Sequence, residues 1–235
     1  MKRLLLLMTL GTCLARGADA QSLCASDGQA TPVTLVERFI SADCEACWSS
    51  PQTLKPSARA LTLDWIVPSE RGDDAPLSAA ASRDARTRLE ALGRPVPTAS
   101  SMTTAKVVGA RSHRLRVAHG VAVGGYLGAS IELKTTRKPH PRESWSAWLV
   151  LVETIPAGAD GSPLERNLVR NVLLSTWNKP EQLSKSEHHV FREMRPLNIP
   201  QGATPERLRV VGWVQDGHGR VLTAAQSVCA PPEAR

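Results

Sequence analysis

The chain has 235 residues and a formal net charge of +7, a length that suits one large domain or two small ones. Its Lys and Arg are scattered, and apart from six Trp the aromatics are scarce; nucleic-acid recognition gathers basic residues on one face with aromatics for stacking, so no nucleic-acid partner is expected. No internal repeat or low-complexity run is visible, which excludes a solenoid and a disordered chain.

At the N-terminus, Lys2 and Arg3 precede an apolar stretch from Leu4 to about Leu14, and Ala18-Asp19-Ala20 forms a small-x-small site ahead of Gln21. That is the layout of a secretory signal peptide over residues 1–20. Its apolar part is shorter than the roughly 20 residues of a membrane-spanning helix, and lipoprotein attachment at Cys13 is disfavoured by the bulky Thr12 before it. The expected mature chain is periplasmic or secreted, without stable membrane insertion, and carries a net charge of about +5.

Next comes an apolar run, Val33 to Ile40, that reads as a strand, followed by Cys44-Glu45-Ala46-Cys47 and a segment able to start a helix running to about Ala60, interrupted by Pro51 and Pro56. Leu61 to Val67 reads as a second strand. Leu77 to Leu92 is the clearest helix, stopped by Gly93. Val96-Pro97-Thr98 and a strand-like run from Lys106 to Gly109 follow. This order of strand, helix, strand, helix, strand predicts an α/β unit over residues 21–112.

From His113 on, short apolar or alternating runs are separated by turn residues: Arg116–Ala118, Ala129–Leu133, Trp148–Val152, Val169–Leu174 and Arg209–Val214. Asp216-Gly217-His218-Gly219 reads as the turn of a hairpin joining Val211–Gln215 to Val221–Ala225. Residues 113–235 are therefore expected to form a β-sandwich-like C-terminal domain.

Export gives the cysteines their meaning. Cys24, Cys44, Cys47 and Cys229 remain after the signal, an even set for a compartment where disulfides persist. Of three possible pairings, the best joins Cys44 to Cys47 as a redox pair and Cys24 to Cys229 as a structural disulfide between the chain ends, which in the chain-entropy picture stabilises by about 5 kcal/mol. A helix N-terminus stabilises a thiolate through its unpaired N–H groups and dipole, so Cys44 is the expected nucleophile and Cys47 the resolving thiol. Asp43 and Glu45 flank Cys44 with like charge, which opposes the thiolate and points away from a strong oxidant. Trp48, directly after the pair, is a candidate shield or partner-binding surface; the other Trp are expected in the core.

Other chemistry has little support. A metal site at the Cys pair would take two further ligands, and the adjacent His188-His189 would face opposite sides of a strand; no metal or other cofactor is expected. Gly120-Val121-Ala122-Val123-Gly124-Gly125 lacks the phosphate-loop Lys and reads as a strand with bends, and no hydrolase motif is present.

The stretch Leu35 to Cys47, with Glu37-Arg38-Phe39 closing the strand before the Cys pair, resembles the motif of a secreted bacterial thioredoxin-like family of unknown function. Glu165 to Val172 is similar to a second family segment, and Trp213-Val214-Gln215-Asp216 to Leu222 to its final hairpin. The chain departs from the pattern with Asp43 where the family has Gly and Trp48 where Pro follows the second Cys. The resemblance implies a thioredoxin-like fold for residues 21–112, with Pro97 as a cis-proline opposite the Cys pair and Val96 offering its backbone to an extended substrate; Pro95 is the rival. Two functions stand: a thiol–disulfide oxidoreductase whose partners are protein thiols or disulfides and a periplasmic redox protein, or a non-catalytic envelope binding module with a static Cys44–Cys47 disulfide.

Overall fold

The computed structural model describes residues 24–51, 59–136, 143–179 and 189–229. The expected signal peptide, Pro56 and His188 lie outside the described residues. Chain order runs β1 (Cys24–Ala25), β2 (Thr34–Ser41), α1 (Glu45–Trp48), β3 (Ala60–Val67), α2 (Arg83–Ala91), β4 (Ser100–Lys106), β5 (His113–Val123), β6 (Tyr126–Thr135), β7 (Trp145–Ile155), β8 (Arg166–Trp177), β9 (His189–Asn198), β10 (Leu208–Gln215), β11 (Val221–Gln226) and β12 (Val228–Cys229). Two sheets result, one ordered β12-β1-β5-β6-β9 and the other β11-β10-β7-β8-β3-β2-β4.

The expected α/β thioredoxin-like domain followed by a separate β-sandwich-like domain is not what forms. Among the described residues, strands account for 52% and helices for 12%. The seven-stranded sheet also takes strands from both halves of the chain, because β3 runs parallel to β8 with Asp64 opposite Leu168. Helix signals shrink for local reasons. α1 is one turn that ends at Ser49, two residues before Pro51. The run from Leu77 breaks after a 3-10 turn, and α2 begins only where the Ser82 hydroxyl accepts the Asp84 N–H, an N-cap that fixes the start at Arg83.

Burial follows the two-sheet layout. Trp145, Ala147, Leu149 and Leu151 of β7 face the five-stranded sheet and pack with Val117, Ile131 and Phe191. Their neighbours Trp148, Val150 and Val152 point the other way, into a second core with Phe39, Trp65 and Leu89. With both faces covered, β7 reads as an uninterrupted apolar run rather than an alternating one. The sheets come so close at Gly212 that a Cβ there would lie 2.6 Å from Val117 Cγ1 and 3.0 Å from Ile131 Cδ1. Gly124 and Gly125, both at positive φ, make the tight turn from β5 to β6.

α2 is held over the seven-stranded sheet by charge as well as by packing. Arg88 donates to both carboxylate oxygens of Glu37, at 2.8 and 2.6 Å, and to Gln215 Oε1 at 2.7 Å. Its guanidinium also lies 4.6 Å from the ring centroid of Trp148 and 5.0 Å from that of Trp213, so a fully buried cation has a bidentate anion and two aromatic rings around it. Removing one partner of such a pair leaves the other charged and desolvated. Arg88→Met should therefore lower stability by roughly 3–5 kcal/mol, read as a fall in the urea midpoint; a loss below about 1 kcal/mol would show that Glu37 finds another partner.

Candidate functional site

β2 ends in a turn built from its own backbone. Cys44 N–H donates to the Ser41 carbonyl at 2.9 Å and Asp43 N–H to Ser41 Oγ at 3.3 Å. Ala42 N–H bonds the Val67 carbonyl, and the Ala42 carbonyl accepts from Leu77 N–H, so the turn is clamped between β3 and the segment before α2. Cys44 then takes the N-cap position of α1, with its carbonyl accepting from Cys47 N–H at 3.0 Å and Trp48 N–H at 3.3 Å.

Cys44 and Cys47 form a disulfide, with sulfurs 2.03 Å apart and Cα atoms 5.2 Å apart. Both cysteines are half-buried at the rim of a small apolar cluster containing Ile40, Ala42, Ile66 and Leu168. α1 has a single turn, so the dipole expected to favour a Cys44 thiolate is small, the macrodipole being a sum over aligned peptide units. Asp43 and Glu45 do flank the pair; the Arg71 guanidinium stands 3.7 Å from Asp43 on the exposed side.

Trp48, the candidate shield or partner-binding surface, belongs to the core, in the cluster against which Cys44 and Cys47 pack. It is 5% exposed, and its Nε1–H donates to the Asp160 carbonyl at 2.8 Å. The residue beneath it is Arg166, whose guanidinium lies 4.9 Å from the Trp48 ring centroid. Arg166 donates to the Trp48 carbonyl, to the Ser50 carbonyl at 3.1 Å and to Ser162 Oγ at 2.7 Å. Its third nitrogen faces buried Asp64 at 4.0 Å. Burial pushes the Asp64 carboxyl above its ordinary value, and Arg38, bonded to it at 2.7 Å, offsets only part of that. A cavity of about 210 Å³ lies alongside, lined by Trp48, Ile66, Leu77, Ile155 and Leu168 among others.

The structure brings Val96 and Pro97 to the same end of the sheet as the Cys pair. β4 starts antiparallel to the last residues of β2, and Ser41 N–H donates to the Ala99 carbonyl at 2.8 Å. Val96 is exposed and Pro97 half-buried. The described residues contain no cis peptide bond, so Pro97 is trans and the cis-proline expectation fails; trans is the lower-energy form of an X–Pro bond unless packing selects the other.

The second disulfide forms as expected, Cys24 to Cys229, closing a sequence separation of 205. It lies on the other sheet, in the β1–β12 ladder. His189 opens β9. Neither Arg166 nor Asp64 was singled out as a site residue in the sequence reading; Asp64 left a signal, a charge within the otherwise apolar strand β3 that has to find a partner when buried, whereas Arg166 opens a strand with other polar residues and left none.

No family model matches the sequence, and no curated protein matches it. Among solved structures, HBP35 of Porphyromonas gingivalis is similar at a TM-score of 0.45 and 11% identity, over 87% of this chain and 78% of that one.

Arg166 is the residue to test at this site. Arg166→Lys keeps the charge but not the planar fork that reaches two carbonyls and a hydroxyl together. The expected result is a stability loss of about 1–3 kcal/mol and faster reduction of Cys44–Cys47 by a dithiol, measured by timed alkylation. Arg207→Ala, which breaks only the exposed pair with Asp160, should change neither.

Proposed function

We propose that this protein is an exported thiol–disulfide oxidoreductase working through Cys44 and Cys47. The observation that carries the reading is the position of this disulfide: half-exposed, at the carboxyl end of β2, the strand next to the sheet edge, in a loop whose backbone is pinned by Arg166. A loop held in this way keeps the two sulfurs facing each other after the bond breaks, which is what a resolving step needs.

In the reducing direction for the substrate, the Cys44 thiolate attacks one sulfur of a substrate disulfide and the other sulfur leaves as a thiol. Cys47 then attacks Cys44 Sγ, the second substrate thiol departs, and two electrons have passed from the Cys pair to the substrate. The oxidising direction runs the same steps backwards. Cys44 takes the N-cap position of α1, where its side chain caps no N–H of the turn. The one-turn helix and the carboxylates of Asp43 and Glu45 keep the Cys44 thiolate costly, which favours the disulfide and places the potential below that of a strong oxidant.

The substrate class that fits is an extended polypeptide bearing a thiol or disulfide. β4 is an edge strand of the seven-stranded sheet, and the exposed approach through Val96 and Pro97 leads into it, so an added strand would run towards the Cys pair. The non-catalytic binding-module reading draws on a different feature, the exposed Val121, Val123 and Tyr126 around the β5–β6 turn.

Titration of the mature protein in a dithiothreitol redox series, scored by mass-tagged alkylation with Cys44→Ser as control, separates the two. The expected outcome is reversible two-electron reduction of Cys44–Cys47 in the folded protein, at a potential more negative than about −120 mV. A pair that stays oxidised until the chain is denatured contradicts the oxidoreductase and leaves the binding module.

A further inference from the structure

The five-stranded sheet places three metal-binding residue types in one row. In the register of β12, β1 and β5, Cys24 stands opposite Cys229 on one side and opposite His119 on the other. Residues directly opposite in neighbouring strands project from the same face. The two sulfurs and a ring nitrogen of His119 accordingly lie within 4.8 Å of one another.

His119 is held in the form a metal needs. The Gly120 carbonyl, which only accepts, lies 2.9 Å from His119 Nδ1, so the ring proton sits on Nδ1 and the lone pair on Nε2. This carbonyl bond is the outer-sphere contact that orients ligating histidines. Nε2 itself is buried and has no hydrogen-bond partner, in a side chain only 5% exposed; a core histidine kept for packing would be expected to have that atom satisfied.

We propose that reduction of the Cys24–Cys229 disulfide converts Cys24, Cys229 and His119 into a three-ligand site for Zn²⁺ or a similar thiophilic divalent cation. Cys229, an exposed residue, is the point of entry. A thiolate of a dithiol reductant attacks Cys229 Sγ, and Cys24 leaves as a thiolate; the second thiol of the reductant then closes its own disulfide and releases Cys229. Two electrons pass from the dithiol to the bridge. The cation next displaces the protons of the two thiols, and Nε2 supplies its lone pair without losing a proton. Zinc holds sulfur at about 2.3 Å and imidazole nitrogen at about 2.0–2.1 Å, so the sulfurs need only separate to roughly 3.7 Å. The fourth position opens into a cavity of about 570 Å³ that His119 and both cysteines line, with Glu206 also in its wall. A Cys₂His set with one open position is a chemistry zinc takes up.

This inference is independent of the Cys44–Cys47 reading and is tested without it. The full-length mature chain carrying Cys44→Ser and Cys47→Ser is reduced with a dithiol, freed of it anaerobically and titrated with Zn²⁺, then separately with Co²⁺. The expected result is one Zn²⁺ per reduced chain and none per oxidised chain, a thiolate-to-cobalt charge-transfer band, and protection of Cys24 and Cys229 from alkylation. Adding His119→Ala should weaken binding roughly 100-fold, since loss of even an outer-sphere partner costs 10–100-fold; His119→Gln is the second variant, and the fold of each is checked with the bridge oxidised. Failure of the reduced protein to bind Zn²⁺ stoichiometrically, equal affinity in the His119 variants, or unfolding on reduction that Zn²⁺ does not reverse would each overturn the proposal.

Discussion

Arg166 ties the loop bearing Cys44 and Cys47 to the sheet through one planar cation. Its guanidinium is buried under the Trp48 ring and divides its donors between the carbonyls of Trp48 and Ser50 and the hydroxyl of Ser162. In a longer helix those carbonyls would be satisfied by the next turn; α1 has no next turn, and Arg166 takes its place. The positive charge also sits at the carboxyl end of the helical turn, where the peptide dipoles favour a cation. Asp64 and Arg38 complete a buried charge network beneath the loop. Because Arg166 opens β8, the strand that pairs with β3, the position of the Cys pair depends on a contact between the two halves of the chain.

The two faces of the seven-stranded sheet divide the remaining work. One face meets the five-stranded sheet at a separation only a glycine permits at position 212. The other carries α2, fixed by the Glu37–Arg88 pair and the two tryptophans around it. The disulfides follow the same division. Cys44–Cys47 joins residues three apart and constrains only its own loop, whereas Cys24–Cys229 joins the first and last described residues, so loss-of-entropy arguments apply to the second and not to the first.

Local features were legible in the sequence. β2 lies within a residue of the apolar run from Val33 to Ile40, both disulfides are those of the preferred one of three possible pairings, and Asp216 makes the expected turn by accepting the N–H groups of His218 and Arg220. What was not legible depends on distance along the chain. Nothing in the apolar run around Asp64 says that its strand will lie beside Leu168, and that pairing is what merges the expected domains into common sheets. Leu77 to Leu92 has helical spacing, but Ser82 offers a cap inside it and the capping bond wins. β9 was missed because Arg192, Glu193 and Arg195 break its apolar pattern; Arg192 pairs with Glu132 across the ladder, and β9 lies at the edge of its sheet, where the other two reach solvent. Arg166 and His119 carry no recognisable motif, and their importance comes only from what the fold brings against them.

The central claim is that Cys44 exchanges disulfides in the folded protein, and trapping a covalent intermediate tests it most directly. The Cys47→Ser chain, which lacks the resolving thiol, is incubated natively with oxidised glutathione and mapped by mass spectrometry. A glutathione adduct on Cys44, released by added dithiol with the fold intact, is the expected result. A Cys44 that forms no adduct until denaturant is added would contradict the account.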